Sequence, residues 1–208
     1  MSDGWTIVYE GFDPEAEPLR EALCTLGNGR FAARGAAEES KADEIHYPGT
    51  YIAGGYNRLV SDVAGRDIVN EDLVNFPNWL PLTFRPAEGT WLGADGLSVD
   101  NYRQELDLRA GLLRRTFTVR DERGRETRVS TRRIVHMEMP HLAAITQEIV
   151  PVNWAGKMEV RSGLDGGITN WGVARYRDLR GDHLETISAG GTDDGLLSLH
   201  VRTKQSRL

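Results

Sequence analysis

Few residues of this 208-residue chain stand at spacings that do chemistry. Gly27-Asn28-Gly29-Arg30-Phe31-Ala32 satisfies the loose G-x-G-x-x-A pattern that cradles a dinucleotide pyrophosphate at a helix N-terminus. That chemistry needs a buried strand before the glycines and a helix after them, and Leu23-Cys24-Thr25-Leu26 is a poor buried strand. A Gly-Asn-Gly turn with a positive φ accounts for the string instead. His136 and His141 flank Met137-Glu138-Met139-Pro140, a spacing that fits no zinc motif and reads as a bend with hydrogen-bonding histidines. The serines lack a G-x-S-x-G elbow, and Cys24 has no histidine beside it in sequence, so nucleophilic catalysis has no signature. Glu38-Glu39, Glu105 with Asp107, and Asp193-Asp194 could each form an acid/base pair, and charged surface turns explain them equally well.

What remains is aromatic: Tyr47, Tyr51, Tyr56, Phe76, Trp79, Trp91, Trp154 and Trp171, several set beside Gly, Asn or Pro. Rings with polar neighbours orient sugar rings, anchor domain contacts, or simply fill a core. In Phe76-Pro77-Asn78-Trp79, Pro77 and Pro81 restrict the backbone around the indole, as a pre-set docking loop would require.

The elements that must position these residues are strands. Trp5, Ile7 and Tyr9 alternate with Thr6, Val8 and Glu10, a period-2 opening strand. Leu113, Arg115, Phe117 and Val119 share one face of a second strand, and Arg114, Thr116 and Thr118 share the other. Asp121-Glu122-Arg123-Gly124 reads as a turn, after which Val129, Thr131, Arg133 and Val135 continue the alternation. Further strands are expected over Leu142 to Ile149, Met158 to Leu164 and Leu196 to Thr203, with Ala189-Gly190-Gly191-Thr192 as a turn. Leu19 to Leu26 reads as a short helix or an extended segment, and Glu71 to Leu82 as a packed, proline-restricted loop. The last strand runs into Lys204 to Leu208 with no capping element, which predicts an unpaired edge there.

Composition agrees with a β-rich globular chain. Apolar residues make up 39% and charged residues 27%, with 23 glycines that suit many tight turns. A net charge of -6 leaves no surplus cation for phosphate backbones or anionic membranes, so neither nucleic acid nor a membrane is an expected partner. One cysteine excludes an internal disulfide framework, and the N-terminal residues lack the basic and apolar regions of a signal peptide. These features predict a cytoplasmic protein without a metal site.

Several strings together resemble one family. LREALCTLGNGRFAARGAAEE, YPGTYIAGGYNR, NEDLVNFPNWLPL, QELDLRAGLLRRTFTV and HLAAITQEIVPVNWAG look like the N-terminal domain of glycoside hydrolase family 65, the family of maltose, trehalose and kojibiose phosphorylases and some α-glucoside hydrolases. The likeness covers nearly the whole chain. Arg30 departs from it, standing where the family more often has an aromatic residue after GNG. The resemblance implies an all-β, antiparallel β-supersandwich of the galactose-mutarotase-like type, cut before its last strands and before the (α/α)6 barrel that carries catalysis. It implies one incomplete domain over residues 1–208 of an inverting α-glucoside phosphorylase or hydrolase, no catalytic residue within it, and no cofactor, with inorganic phosphate as co-substrate where the parent is a phosphorylase. The implied partners are that barrel, an α-linked disaccharide and a second copy in a homodimer. Arg34, Tyr51, Tyr56, Asn57, Asn78 and Trp79 are the implied substrate-pocket or interface candidates. An independent carbohydrate-binding or structural module is the alternative expectation.

Overall fold

In a computed structural model, residues 4–171 and 178–208 are described. Alternation of apolar and polar side chains decides the architecture. The main sheet has five antiparallel strands in the order β1-β8-β9-β10-β11, formed by β1 (Thr6–Glu10), β8 (Ser98–Asp107), β9 (Leu112–Arg120), β10 (Glu126–Val135) and β11 (Ala143–Pro151). Its outer face carries Arg103, Arg114, Arg120 and their carboxylate partners Glu10, Glu105 and Glu126, as the period-2 reading expects. Asp121 makes the predicted turn, its Oδ1 accepting the amides of Arg123 and Arg125 at 3.0 Å.

The remaining described elements are one helix and four smaller sheets. α1 (Glu17–Leu23) leads into β2 (Leu26–Gly27), β3 (Phe31–Ala33) and β4 (Thr50–Ile52), a three-stranded sheet. β5 (Tyr56–Val63) and β6 (Arg66–Leu73) form a hairpin, β7 (Leu82–Pro86) pairs with β12 (Met158–Ser162), and β13 (Leu184–Gly191) pairs with β14 (Leu197–Thr203). The whole is an antiparallel sandwich with one helix among the described residues. Gly27-Asn28-Gly29 is a turn: Gly29 has φ +86°, and Asn28 Oδ1 accepts the amides of Arg30 and Phe31.

Two sequence expectations change. Ala189-Gly190-Gly191 lies inside β13, and the turn falls later, at Thr192 to Leu196. Glycines weaken a strand signal, yet this hairpin lies on the surface, where no side chain has to fill a core. The C-terminal residues are capped where no cap was expected: Lys204 N donates to His183 O, and Asn57 Oδ1 accepts the amides of Gln205 and Ser206 at 2.9 Å, while β14 still pairs only with β13 among the described residues and leaves the expected unpaired edge.

The core divides in two. Phe84 and Leu92, with Met158, pack on Tyr102, Phe117, Val119 and Val129 at one end. Cys24 and Leu26, with Phe31, pack on Leu106, Leu113 and Val135 at the other. Between them runs a polar row in strict cross-strand register: Gln104 opposite Arg115, Arg115 opposite Thr131, Thr131 opposite Gln147.

Candidate functional site

Burying that row has a consequence. A charged side chain on an inward strand position must find a partner, because desolvating a lone charge costs several kcal/mol. The segment Arg34 to Glu39 supplies the partners and crosses the row as an extended strap. Arg133 donates to Arg34 O at 2.9 Å, Ala36 O at 2.6 Å and Glu38 Oε1 at 2.5 Å, and Gln104 Nε2 donates to Gly35 O at 3.1 Å. Arg115 ion-pairs with Glu38 at 3.2 Å and with Glu39. The strap has to be slim: a Cβ on Gly35 would stand 2.6 Å from Cys24 Cβ. The RGAAEE string is therefore a structural device. Glu38 is buried, correcting its reading as a surface turn residue. Burial raises its carboxyl, but Arg115 and Arg133 outweigh this and hold it down at about 2. Glu105 and Asp194 do lie at surface pairs and turns.

Beyond the strap, residues 39–41 form a wall between two clefts. The cleft of about 550 Å³ is lined by Asn78, Asp165, Thr169, Arg161 and Trp171. Asn78 is buried, bridges Asp165 through paired backbone hydrogen bonds of 2.9 and 2.8 Å, and accepts Leu80 N at its Oδ1. The cleft of about 590 Å³ on the other side is lined by Phe12, Tyr102, Phe117, Arg115 and the loop around Gly93.

The six sequence candidates separate into four places. Arg34 and Tyr51 converge on Gly49, where a Cβ would meet Arg34 Cδ at 2.7 Å and the Tyr51 hydroxyl at 2.8 Å. Arg34 also donates to Tyr47 O at 2.9 Å and lies over the Tyr47 ring, whose edge meets Trp171 of the smaller cleft. Burial, then the neighbouring Tyr47, pushes the Tyr51 hydroxyl up. Asn78 and Trp79 share the loop after β6, but only Asn78 lines the cleft; the Trp79 ring centroid lies 6.1 Å from Phe31, with Nε1 buried and unpartnered. Asn57 is buried, its Nδ2 donating to His183 Nδ1 at 3.0 Å while its Oδ1 holds the C-terminal residues. Tyr56 is half-exposed at the start of β5.

Sequence reasoning passed over Arg115, Arg133, Phe12 and His46. The first two had a legible signal, since arginine at the apolar phase of a strand demands a buried carboxylate. His46 had none: it sits 25 residues from Glu21, whose Oε1 it meets at 2.8 Å through Nδ1. Burial lowers the His46 pKa, but its hydrogen bond and charge interaction with Glu21, helped by Asp43 and Glu17, raise it overall. A raised folded value means the proton is held more tightly when folded. That contribution is full below the unfolded value of 6.5 and is lost as pH rises through the folded one. His46→Gln is expected to flatten this segment of a melting-temperature profile; an unchanged slope just above pH 6.5 would assign it elsewhere.

Among the described residues no group of three or more His, Cys, Asp or Glu side chains could hold a metal, and no helix is long and apolar enough to cross a membrane. The sandwich superposes with TM-score 0.82 on a solved structure assigned as a kojibiose phosphorylase from the human microbiome, at 20% identity over 98% of this chain and 26% of that one. That likeness defines the class of fold. Residues 7–208 match the family described as glycosyl hydrolase family 65, N-terminal domain, and the chain belongs to that family. It is 46% identical to an uncharacterized glycosyl hydrolase of Mycobacterium tuberculosis H37Rv over 204 residues, 98% of this chain and 15% of that one. It is 31% identical to trehalose 6-phosphate phosphorylase of Lactococcus lactis, over 98% of this chain and 26% of the relative. With kojibiose phosphorylase of Thermoanaerobacter brockii the identity is 32%, over 81% of this chain and 20% of the relative. The chain thus spans about a quarter or less of the length of these relatives.

Proposed function

We propose that this chain is the non-catalytic N-terminal sandwich of an inverting α-glucoside phosphorylase that uses inorganic phosphate to cleave an α-linked glucose disaccharide. The observation that carries this reading is the family match over residues 7–208 together with phosphorylase relatives at 31% and 32% identity. The state of the buried Glu38 supports the non-catalytic part. Inverting cleavage needs an acid that is protonated near neutral pH, whereas Glu38 is held at about 2 and committed to two arginines. In the whole protein a helical barrel would supply that acid, and phosphate would supply its own nucleophilic oxygen, so no second carboxylate is needed as base.

The domain's part is then to brace the barrel and border its entrance. Asn78 and the Tyr47–Trp171 pair, backed by Arg34 and Tyr51, form the contact region we assign to it, while Trp79 props the same loop from the core side, its ring set toward Phe31. Tyr56 lies on the outer face of the β5–β6 hairpin with exposed Val60 and Val69, a second apolar patch suited to a subunit or domain contact. Asn57 acts from beneath by fixing the C-terminal residues. The site needs no cofactor, and a cytoplasmic homodimer is the setting proposed.

The isolated 208-residue chain is expected to release neither glucose 1-phosphate nor glucose from maltose, trehalose or kojibiose in phosphate buffer. Turnover that co-purifies with the chain and responds to Glu38→Gln would overturn the assignment.

A further inference from the structure

The larger cleft is built differently from the barrel-facing region. Phe12 leaves β1 half-exposed and presents its edge to Tyr102, with ring centroids 5.9 Å apart at 72°. Tyr102 continues to Phe117 at 6.3 Å, and Phe12 also meets the His46 ring at 6.2 Å. These rings form an apolar wall. Glu39, Lys41 and Asp43 from the loop after the strap, together with Asp95, line the same space. At one end Gly93 closes the space: it has φ +89°, and a Cβ there would stand 2.8 Å from Glu39 O. Arg115 reaches the floor almost wholly buried, with Nε and Nη1 lacking partners.

We propose that this cleft binds a neutral saccharide of one or two hexose rings. Three properties select that ligand class. The volume of about 590 Å³ lies within the range of small-molecule sites. A pyranose has one apolar C–H face, which suits the Phe12 and Tyr102 rings, and a rim of hydroxyls that both donate and accept. Around the cleft, carboxylates of Glu39, Asp43 and Asp95 accept while Lys41 and Arg115 donate. Charge decides against an anion: three carboxylates face two permanent cations, and Arg115 is already paired with Glu38 and Glu39. The site rests on the phosphorylase reading only in the choice of glucose disaccharides as first probes.

The test is a titration of the ¹⁵N-labelled chain with maltose, trehalose and kojibiose, and separately with inorganic phosphate, followed by amide shifts. At least one disaccharide is expected to give saturable shifts at residues 39–46 and 92–97 with a millimolar dissociation constant. Phe12→Ala should weaken binding about tenfold or more, and Phe12→Trp should retain it. Phe12 is half-exposed, so both variants are expected to keep the dispersed spectrum of the folded chain. Trp171→Ala, in the other cleft, should leave binding unchanged. The proposal fails if no disaccharide gives saturable shifts up to about 100 mM, a free energy too small for a built site. It fails equally if phosphate alone shifts these amides, if Phe12→Ala binds as the parent does, or if Trp171→Ala abolishes binding. A silent titration would leave the proposed phosphorylase role standing, whereas turnover by the isolated chain would overturn that role without bearing on this site.

Discussion

Glu38→Gln is expected to lower the stability of the domain by about 3 to 5 kcal/mol, the cost of leaving buried cations without their counter-charge. Glu38 is 2% exposed and faces Arg133 at 2.5 Å and Arg115 at 3.2 Å. After the substitution Arg115 keeps Glu39, but Arg133 keeps only carbonyls of the strap. The pH dependence gives an independent estimate. The Glu38 carboxyl falls from an ordinary 4.5 to about 2 on folding, a difference that corresponds to about 3 kcal/mol for a fully buried group. Because the folded value is depressed, this stabilisation is present above pH 4.5 and is lost as pH falls toward 2. Denaturant melts at pH 7 and pH 3 should therefore show a gap between parent and variant that narrows in acid. A gap of the same size at both pH values would mean that Glu38 contributes by packing alone.

Trp79→Ala is expected to destabilise the isolated chain by about 3 kcal/mol, or roughly 6 to 12 °C in melting temperature for a chain of this size. The ring packs toward Phe31, itself set against the Cys24 and Leu26 cluster, so truncation opens a void beside the core. Its Nε1 is buried without a partner, and an unsatisfied donor costs about 1 to 3 kcal/mol. Trp79→Phe should accordingly be close to neutral, because it keeps an aromatic ring and removes the orphan donor. An unchanged melting temperature for Trp79→Ala, coupled with lost activity in the whole protein, would place the indole in the barrel contact instead.

The sequence by itself determined the opening strand and the long hairpin of the main sheet, with their faces. Period-2 alternation from Leu112 to Val135 assigns each side chain to one side of the sheet, and Asp121 to Gly124 carry the turn chemistry that sets the register. The unusual strings around Gly27, Asn57 and Trp79 carried the family. Strand signals failed at β13, where glycines mimic a turn, and at the hairpin of β5 and β6, whose exposed face mixes Arg58 and Asp62 with Val60. Such local signals decay within a few residues, whereas the sites are assembled from far apart. Arg133 meets the strap 95 residues away at Glu38, Asn57 meets His183 across 126, and Phe12 meets Tyr102 only because β1 pairs with β8. Only the tertiary structure decided that Arg115 and Arg133 are buried, that RGAAEE is the strap that neutralises them, and that the space left beside it is an aromatic cleft. The physical reason is that charge pairing and cavity shape depend on which loops cross the sheet, and no periodicity within one strand encodes that crossing.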